Sequence, residues 1–163
     1  MDMRGAIAFL DREVPDSRKG LPEEVFRFVS RMSPMVNVDL LIKDEDDRTL
    51  LAWRDDEFSG AGWHVPGGVL RFKEKLETRL TKVAKKEIGV LVKFDPIPLA
   101  INQIHCNHAT RGHFISILYK CFLSRKFVPK NLGLSDKDPG FIMWHKTCPV
   151  NLIRVHQIYK KYI

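Results

Sequence analysis

Residues Gly62 to Val90 read "GWHVPGGVLRFKEKLETRLTKVAKKEIGV", a glycine-bearing turn ahead of a basic helical run that closes with one late carboxylate, Glu87. Leu76, Leu80, Val83, Ala84 and Ile88 recur at helical spacing, and Gly89 stands where that helix should stop. Gly67 and Gly68 allow backbone geometry that a side chain would block, so main-chain groups there can approach a ligand closely. Pro66 stiffens the entry to the turn. Glycines leading into a helix suit phosphate, but neither the P-loop nor the dinucleotide fingerprint is present.

Outward from this segment, helical and strand patterns mix. Upstream, "GAIAFL" (5–10) reads as a short strand and "DREVPDSRKG" (11–20) as a polar linker. "LPEEVFRFVSRM" (21–32) reads as a helix, with Pro22 in its first turn, Glu23 and Glu24 at its positive end, and Val25, Phe26 and Val29 as its apolar stripe. "MVNVDLLIK" (35–43) and "RTLLAWR" (48–54) are strands split by the hairpin turn "DEDD". Downstream, "VLVKF", "IPLAINQIHC", "HFISILYKCFL" and "FIMWHK" read as strands. Pro149 to Ile163 reads as an amphipathic helix with Leu152, Val155, Ile158, Tyr159 and Tyr162 facing inward. The order predicts one α/β domain over 21–163, an α/β/α sandwich around a mixed β-sheet, behind an N-terminal extension of residues 1–20.

A length of 163 residues suits one domain with a real core, and 44% hydrophobic with 29% charged residues is ordinary for a globular chain. No apolar run is long enough to cross a bilayer, and Asp11 interrupts an N-terminal patch too short for a signal peptide. Cys106, Cys121 and Cys148 lack the paired spacing of a zinc site, so free thiols and a cytoplasmic location are the reading. The net charge of +7 is uneven: residues 120–163 carry nine Lys and Arg against Asp136 and Asp138 alone. Such a surface attracts acidic or phosphorylated ligands. Tyr159 and Tyr162 beside Lys160 and Lys161 read as core anchors rather than stacking platforms, which argues against nucleic acid.

The spacing carries a sharper signal. From Gly68, five residues lead to Glu74, seven more to Lys82, and the run ends with Glu87, Gly89 and Val90. This resembles the Nudix box, G-x5-E-x7-R-E-U-x-E-E-x-G-U, where U is apolar. Lys82 stands for the arginine, and two of the box's metal-binding glutamates are replaced by Val83 and Lys86. Positions 83, 86 and 87 share one side of a helix, so three carboxylates there could hold several divalent ions, whereas Glu87 alone can hold one Mg²⁺.

With that depletion the chain resembles the GDP-mannose mannosyl hydrolase branch of the Nudix families, from "LPEEVFRFVSRMSPMVNVDLLI" through "LLAWRDDEFSGAGWHVPGG" to Val90. The resemblance implies that Gly67 and Glu87 hold Mg²⁺, that Arg54 contacts the nucleotide diphosphate, and that Asp39 lies near the nucleotide. Lys82 replaces a site arginine and also pairs with Glu74. The family arginine after the glycines is Val69 here, and Arg71 points the same way in an extended segment. The family's late Gln-His pair, metal ligand then base, falls on Asp138 and Pro139; Asp138 can still ligate a metal, but proline cannot be a base.

His113 matches a histidine of the family and is the first candidate to take its place; with Lys82 and Arg71 it makes up the expected catalytic set. "HCNHATRGH" (105–113) packs three histidines into a loop with no acidic partners, which argues against zinc, and His156 reads as structural. The expected activity is Mg²⁺-dependent hydrolysis of a nucleoside diphosphate sugar such as GDP-mannose, with water attacking the anomeric carbon. Attack at phosphorus, and nucleotide-sugar binding without turnover, stay open at this point. The resemblance also implies a homodimer formed through residues 1–20.

Overall fold

The computed structural model describes residues 2–163. Its centre is a mixed sheet. Strands β1 (Met35–Lys43), β2 (Thr49–Asp56), β3 (Gly60–His64) and β4 (Gly67–Val69) precede helix α3 (Leu76–Val83). After it come β5 (Lys93–Phe94), β6 (Ala100–His105), β7 (His113–Phe122) and β8 (Ile142–His145). The main path runs β3-β2-β1-β7-β5, with β4 on β1, β6 on β7 and β8 on β2. β1 and β7 run parallel from Met35 opposite Phe114 to Lys43 opposite Phe122, and the other pairings are antiparallel.

Each face of the sheet carries its own core because side chains alternate along a strand. Val38, Leu40 and Ile42 of β1 join Leu50, Ala52, Leu80, Val83 and Ile88 beneath α3. Leu41, Leu51, Trp53, Trp63 and Leu118 pack on the other face with Leu152 and Tyr159 of the C-terminal segment. The α/β/α sandwich is therefore present. Leu80 is fully buried, and truncating it to alanine would cost about 2–5 kcal/mol.

α2 (Glu23–Met32) and the strands at β1, β2 and β7 match the sequence reading closely. Three segments differ. "GAIAFL" is not a strand but part of helix α1 (Met3–Glu13), which Asp2 caps by accepting the Gly5 N–H at 2.8 Å. A six-residue apolar run fits either period, and the cap decides it. Of "VLVKF" only Lys93 and Phe94 pair, with Phe122 and Cys121.

The C-terminal segment forms a 3₁₀ helix, Arg154–Tyr162, rather than an α-helix. Three residues per turn align His156, Tyr159 and Tyr162, so His156 is buried while Ile158 is 38% exposed, opposite to the expected arrangement for Ile158. α3 itself continues into a π-helical turn, Ala84–Ile88. Gly89 closes that turn at φ 81, its N–H donating to the Ala84 carbonyl at 3.1 Å. No helix among the described residues is long and apolar enough to cross a membrane, and all three cysteines are free.

Candidate functional site

The two glycines of β4 are there for close approach. Gly67 pairs with Asp39 of β1, and a Cβ on Gly67 would run into Asp39 Oδ1. A Cβ on Gly68 would lie 3.0 Å from Val83 Cγ2. The short strand can therefore lie between a buried carboxylate and the helix only without side chains at these positions.

Glu87 sits in the π-helical turn, and its buried Oε2 has no hydrogen-bond partner. That oxygen lies 3.5 Å from His64 Nε2. His64 is itself nearly buried, with Nδ1 2.8 Å from the Ala52 carbonyl. A carbonyl can only accept, so Nδ1 carries a proton, and Nε2 is the ring nitrogen turned towards Glu87.

Glu87, with Gly67 and Gly68, lines a cleft of about 860 Å³. Arg18, Lys19, Arg71, Arg79, Lys82, Lys86 and Arg111 line it, against only two carboxylates, Glu23 and Glu87. Glu74 braces its wall. Its Oε1 lies 2.8 Å from Lys82 Nζ, and its Oε2 lies 2.7 Å from Arg79 Nε and 3.1 Å from the Arg71 amide. Burial alone would raise the Glu74 carboxyl, but the hydrogen bonds from Lys82, the Arg71 amide and Arg79 outweigh it and hold it below its usual range. Burial, then Arg79, lowers the Arg71 guanidinium from its ordinary value.

Arg54 lies 2.7 Å from Asp56 through Nε, on a smaller recess of about 340 Å³ that it shares with His64, Lys86 and Glu87. Lys86 and Glu87 line both openings. Asp39 lies beneath, 3% exposed, with its Oδ2 accepting from the Ser116 and Tyr159 hydroxyls. Burial raises its carboxyl and outweighs the lowering by those hydrogen bonds, and Glu87 adds to the rise. His156, lowered by burial, accepts the Val65 N–H on Nδ1 at 3.0 Å and so acts as a structural brace.

Of the residues expected from sequence, Gly67, Arg71, Lys82 and Glu87 converge on the basic cleft, and Arg54 on the adjoining recess. Asp39 is under the floor. His113 is outside both linings: its ring lies tilted against that of His105, centroids 4.4 Å apart, and its Nε2 meets Gln103 at 3.0 Å. Asp138 is outside them too, and its Oδ2 takes the Ser135 N–H at 2.7 Å and the Ser135 hydroxyl at 2.8 Å. Sequence reasoning missed Arg18, Lys19, Arg79, Arg111 and the orientation of His64, and took Lys86 only as the replacement of a metal-binding glutamate. For His64 the signal was its place directly before the turn; for Arg18 and Arg111 there was none.

Among the described residues, no group of three or more His, Cys, Asp or Glu could hold a metal ion. Glu87, with its unpartnered Oε2, and Gly67 line the same cleft, a donor set that would suit at most one divalent cation whose remaining ligands come from a ligand's oxygens and water. The residues do not fit a cluster of ions.

No family model matches the chain. It is 35% identical over 75 residues to the low-salt glycan biosynthesis protein Agl8 of Haloferax volcanii, covering 46% of this chain and 47% of that protein. The match thus spans about half the length of that relative. Among solved structures it resembles a MutT Nudix hydrolase from Burkholderia pseudomallei, with a TM-score of 0.64 at 19% identity over 80% of this chain and 98% of the other. A Nudix-family hydrolase from Clostridium perfringens gives a TM-score of 0.56 at 14% identity over 80% and 96%. A Nudix hydrolase from Nitrosomonas europaea gives 0.54 at 15% over 69% and 72%.

Proposed function

With the Nudix fold of this chain as the premise, we propose that it is a hydrolase of a nucleoside diphosphate sugar, GDP-mannose-like, dependent on one Mg²⁺. The observation that carries the reading is the single unpartnered carboxylate of Glu87 set in a cleft of seven cations. A diphosphate brings the negative charge that such a cleft lacks. The glycan-biosynthesis name of the Haloferax relative supports a sugar-bearing ligand.

Glu87 and the Gly67 backbone would hold the cation, which when bound withdraws charge from the diphosphate oxygens. Arg71 and Lys82 neutralise the nucleoside diphosphate as it leaves, and Arg54 approaches it from the adjoining recess. Water attacks the anomeric carbon, the bond from that carbon to the phosphate oxygen breaks, and the nucleoside diphosphate departs with the electron pair. His64 Nε2 accepts the proton lost by the water, a role its fixed tautomer supports better than the hairpin position of His113. The depleted acidic positions Val83 and Lys86 favour attack at carbon, which anionic oxygens do not screen. The exposed Met3, Ile7 and Phe9 of α1 support a homodimer through the N-terminal segment.

Incubation with nucleotide sugars and Mg²⁺ in ¹⁸O-labelled water tests the reaction. Label in the released sugar is the expected result. Label in phosphate, or no product from a panel of nucleotide sugars, overturns it.

A further inference from the structure

Arg111 is the least explained charge in the protein. Its guanidinium lies 4.3 Å from the Phe58 ring centroid and 5.5 Å from that of Phe26, and its Nε is buried without a hydrogen-bond partner. The two carboxylates that act on it are engaged elsewhere: Asp56 with Arg54, and Glu23 with Arg27. Burial first, and then the neighbouring Arg54, pull the guanidinium below its ordinary value. A cation held against another cation, part-desolvated and unpaired, is costly unless an anion joins it.

The loop is built to hold it there. Cys106 and Gly112 close the β6–β7 connection through the Cys106 N–H and the Gly112 carbonyl at 2.9 Å. His108 Nδ1 accepts the amides of Thr110 at 3.2 Å and Arg111 at 3.0 Å, and Cys106 Sγ–H donates to the Arg111 carbonyl at 3.2 Å. A Cβ on Gly112 would lie 2.6 Å from the His108 carbonyl oxygen, so this tight path needs glycine. The histidine-rich loop is thus a backbone bracket that presents a guanidinium.

Arg111 also joins two spaces. It lines the basic cleft and, with Asn37, Asp39, Arg54, Phe58 and His156, a cavity of about 70 Å³, in which the Asp39 carboxyl is tied to the Ser116 and Tyr159 hydroxyls. At roughly 30 Å³ per liquid water that is room for about two waters, or for a compact oxyanion, and too little for a base or a sugar ring.

We propose that Arg54 and Arg111 form a guanidinium clamp for one phosphoryl group of the ligand. This rests on the reading that the ligand is a nucleoside diphosphate derivative. Arg111 is a binding residue here: its planar fork donates to phosphate oxygens, while Phe26 and Phe58 keep it from folding back into solvent.

The test is calorimetric titration of the metal-free full chain with inorganic pyrophosphate, for wild type, Arg111→Met and Arg111→Lys. Loss of a charge-assisted fork should weaken pyrophosphate binding by at least about tenfold in Arg111→Met, with a smaller loss in Arg111→Lys. The ligand-free melting temperature should not fall, because removing Arg111 relieves its repulsion with Arg54. Pyrophosphate affinity within twofold of wild type in Arg111→Met overturns the clamp, as does no binding by wild type. If Arg111→Met does not fold, Arg111→Lys decides: full affinity there overturns the clamp. Labelled-water turnover is read separately. Weakened pyrophosphate binding without wild-type turnover would sink the hydrolase and leave the clamp, and turnover with unchanged pyrophosphate binding would do the reverse.

Discussion

His64 faces Glu87 across 3.5 Å, imidazole Nε2 to carboxylate Oε2, while its other nitrogen is fixed on the Ala52 carbonyl at 2.8 Å. Glu87 lines both the basic cleft and the adjoining recess that His64 shares, and its buried Oε2 has no hydrogen-bond partner. Replacing the carboxylate by an amide keeps the shape and removes the charge. Glu87→Gln should lower Mg²⁺-dependent turnover more than about a hundredfold with the melting temperature little changed. Measured across a Mg²⁺ titration, wild-type rates in this variant would remove the metal assignment.

Glu74 is a separate matter, because it braces and does not react. Its folded carboxyl is held below the ordinary value of 4.5 by Lys82, the Arg71 amide and Arg79 against burial. A depressed acid stabilises the fold above its unfolded value and loses that contribution as pH falls through the folded value. Glu74→Gln should therefore cost about 2 kcal/mol at pH 7, and the difference from wild type should shrink below pH 4. Urea unfolding at pH 7 and pH 3 measures it; a gap that widens in acid is the wrong sign.

Asp39 runs the other way. Burial raises its carboxyl above 3.8, so the native state binds the proton more tightly than the unfolded chain. Stability then falls as pH rises from 3.8 through the folded value. The amide introduced by Asp39→Asn cannot ionise, and its oxygen can still accept from Ser116 and Tyr159. In metal-free buffer this variant should be more stable than wild type by roughly 1 kcal/mol or more at pH 8, and no more stable at pH 3. Thermal unfolding with EDTA at both pH values checks the crossing.

For Gly67→Ala the added Cβ would meet Asp39 Oδ1 well inside any real contact distance. β4 must then lift from β1, at a cost of about 1–3 kcal/mol for overpacking. The expected outcome is a folded but destabilised chain with the Mg²⁺ response lost. A Gly67→Ala protein with wild-type melting and Mg²⁺ response contradicts the packing described.

Much of the frame was legible in the residues. β1 alternates cleanly, because Val38, Leu40 and Ile42 meet α3 while Leu41 meets the opposite core. α3 was legible through its apolar stripe and Gly89. α1 was not, since "GAIAFL" fits two periods and none of its side chains is buried to favour one. In the C-terminal segment the spacing 155, 158, 162 suggested an α-face, but the three-residue period turned His156 inward instead. The box residues placed the cleft, whereas Arg18 and Lys19 reach it from a short 3₁₀ helix, Ser17–Lys19, and Arg111 from the β6–β7 loop. No local pattern marks such residues.

The π-helical turn at 84–88 holds one residue more than an α-turn would, and the Gly89 amide accordingly reaches back five positions to Ala84. Deleting Lys85 would restore ordinary spacing and rotate the helix before Glu87 against the chain after it by roughly 100°. The direction in which the lone acid points is thus written in the length of the chain as well as its letters. A shortening by one residue would turn Glu87 relative to Arg79 and Lys82 on the turns before it and break up the set of charges that the cleft gathers.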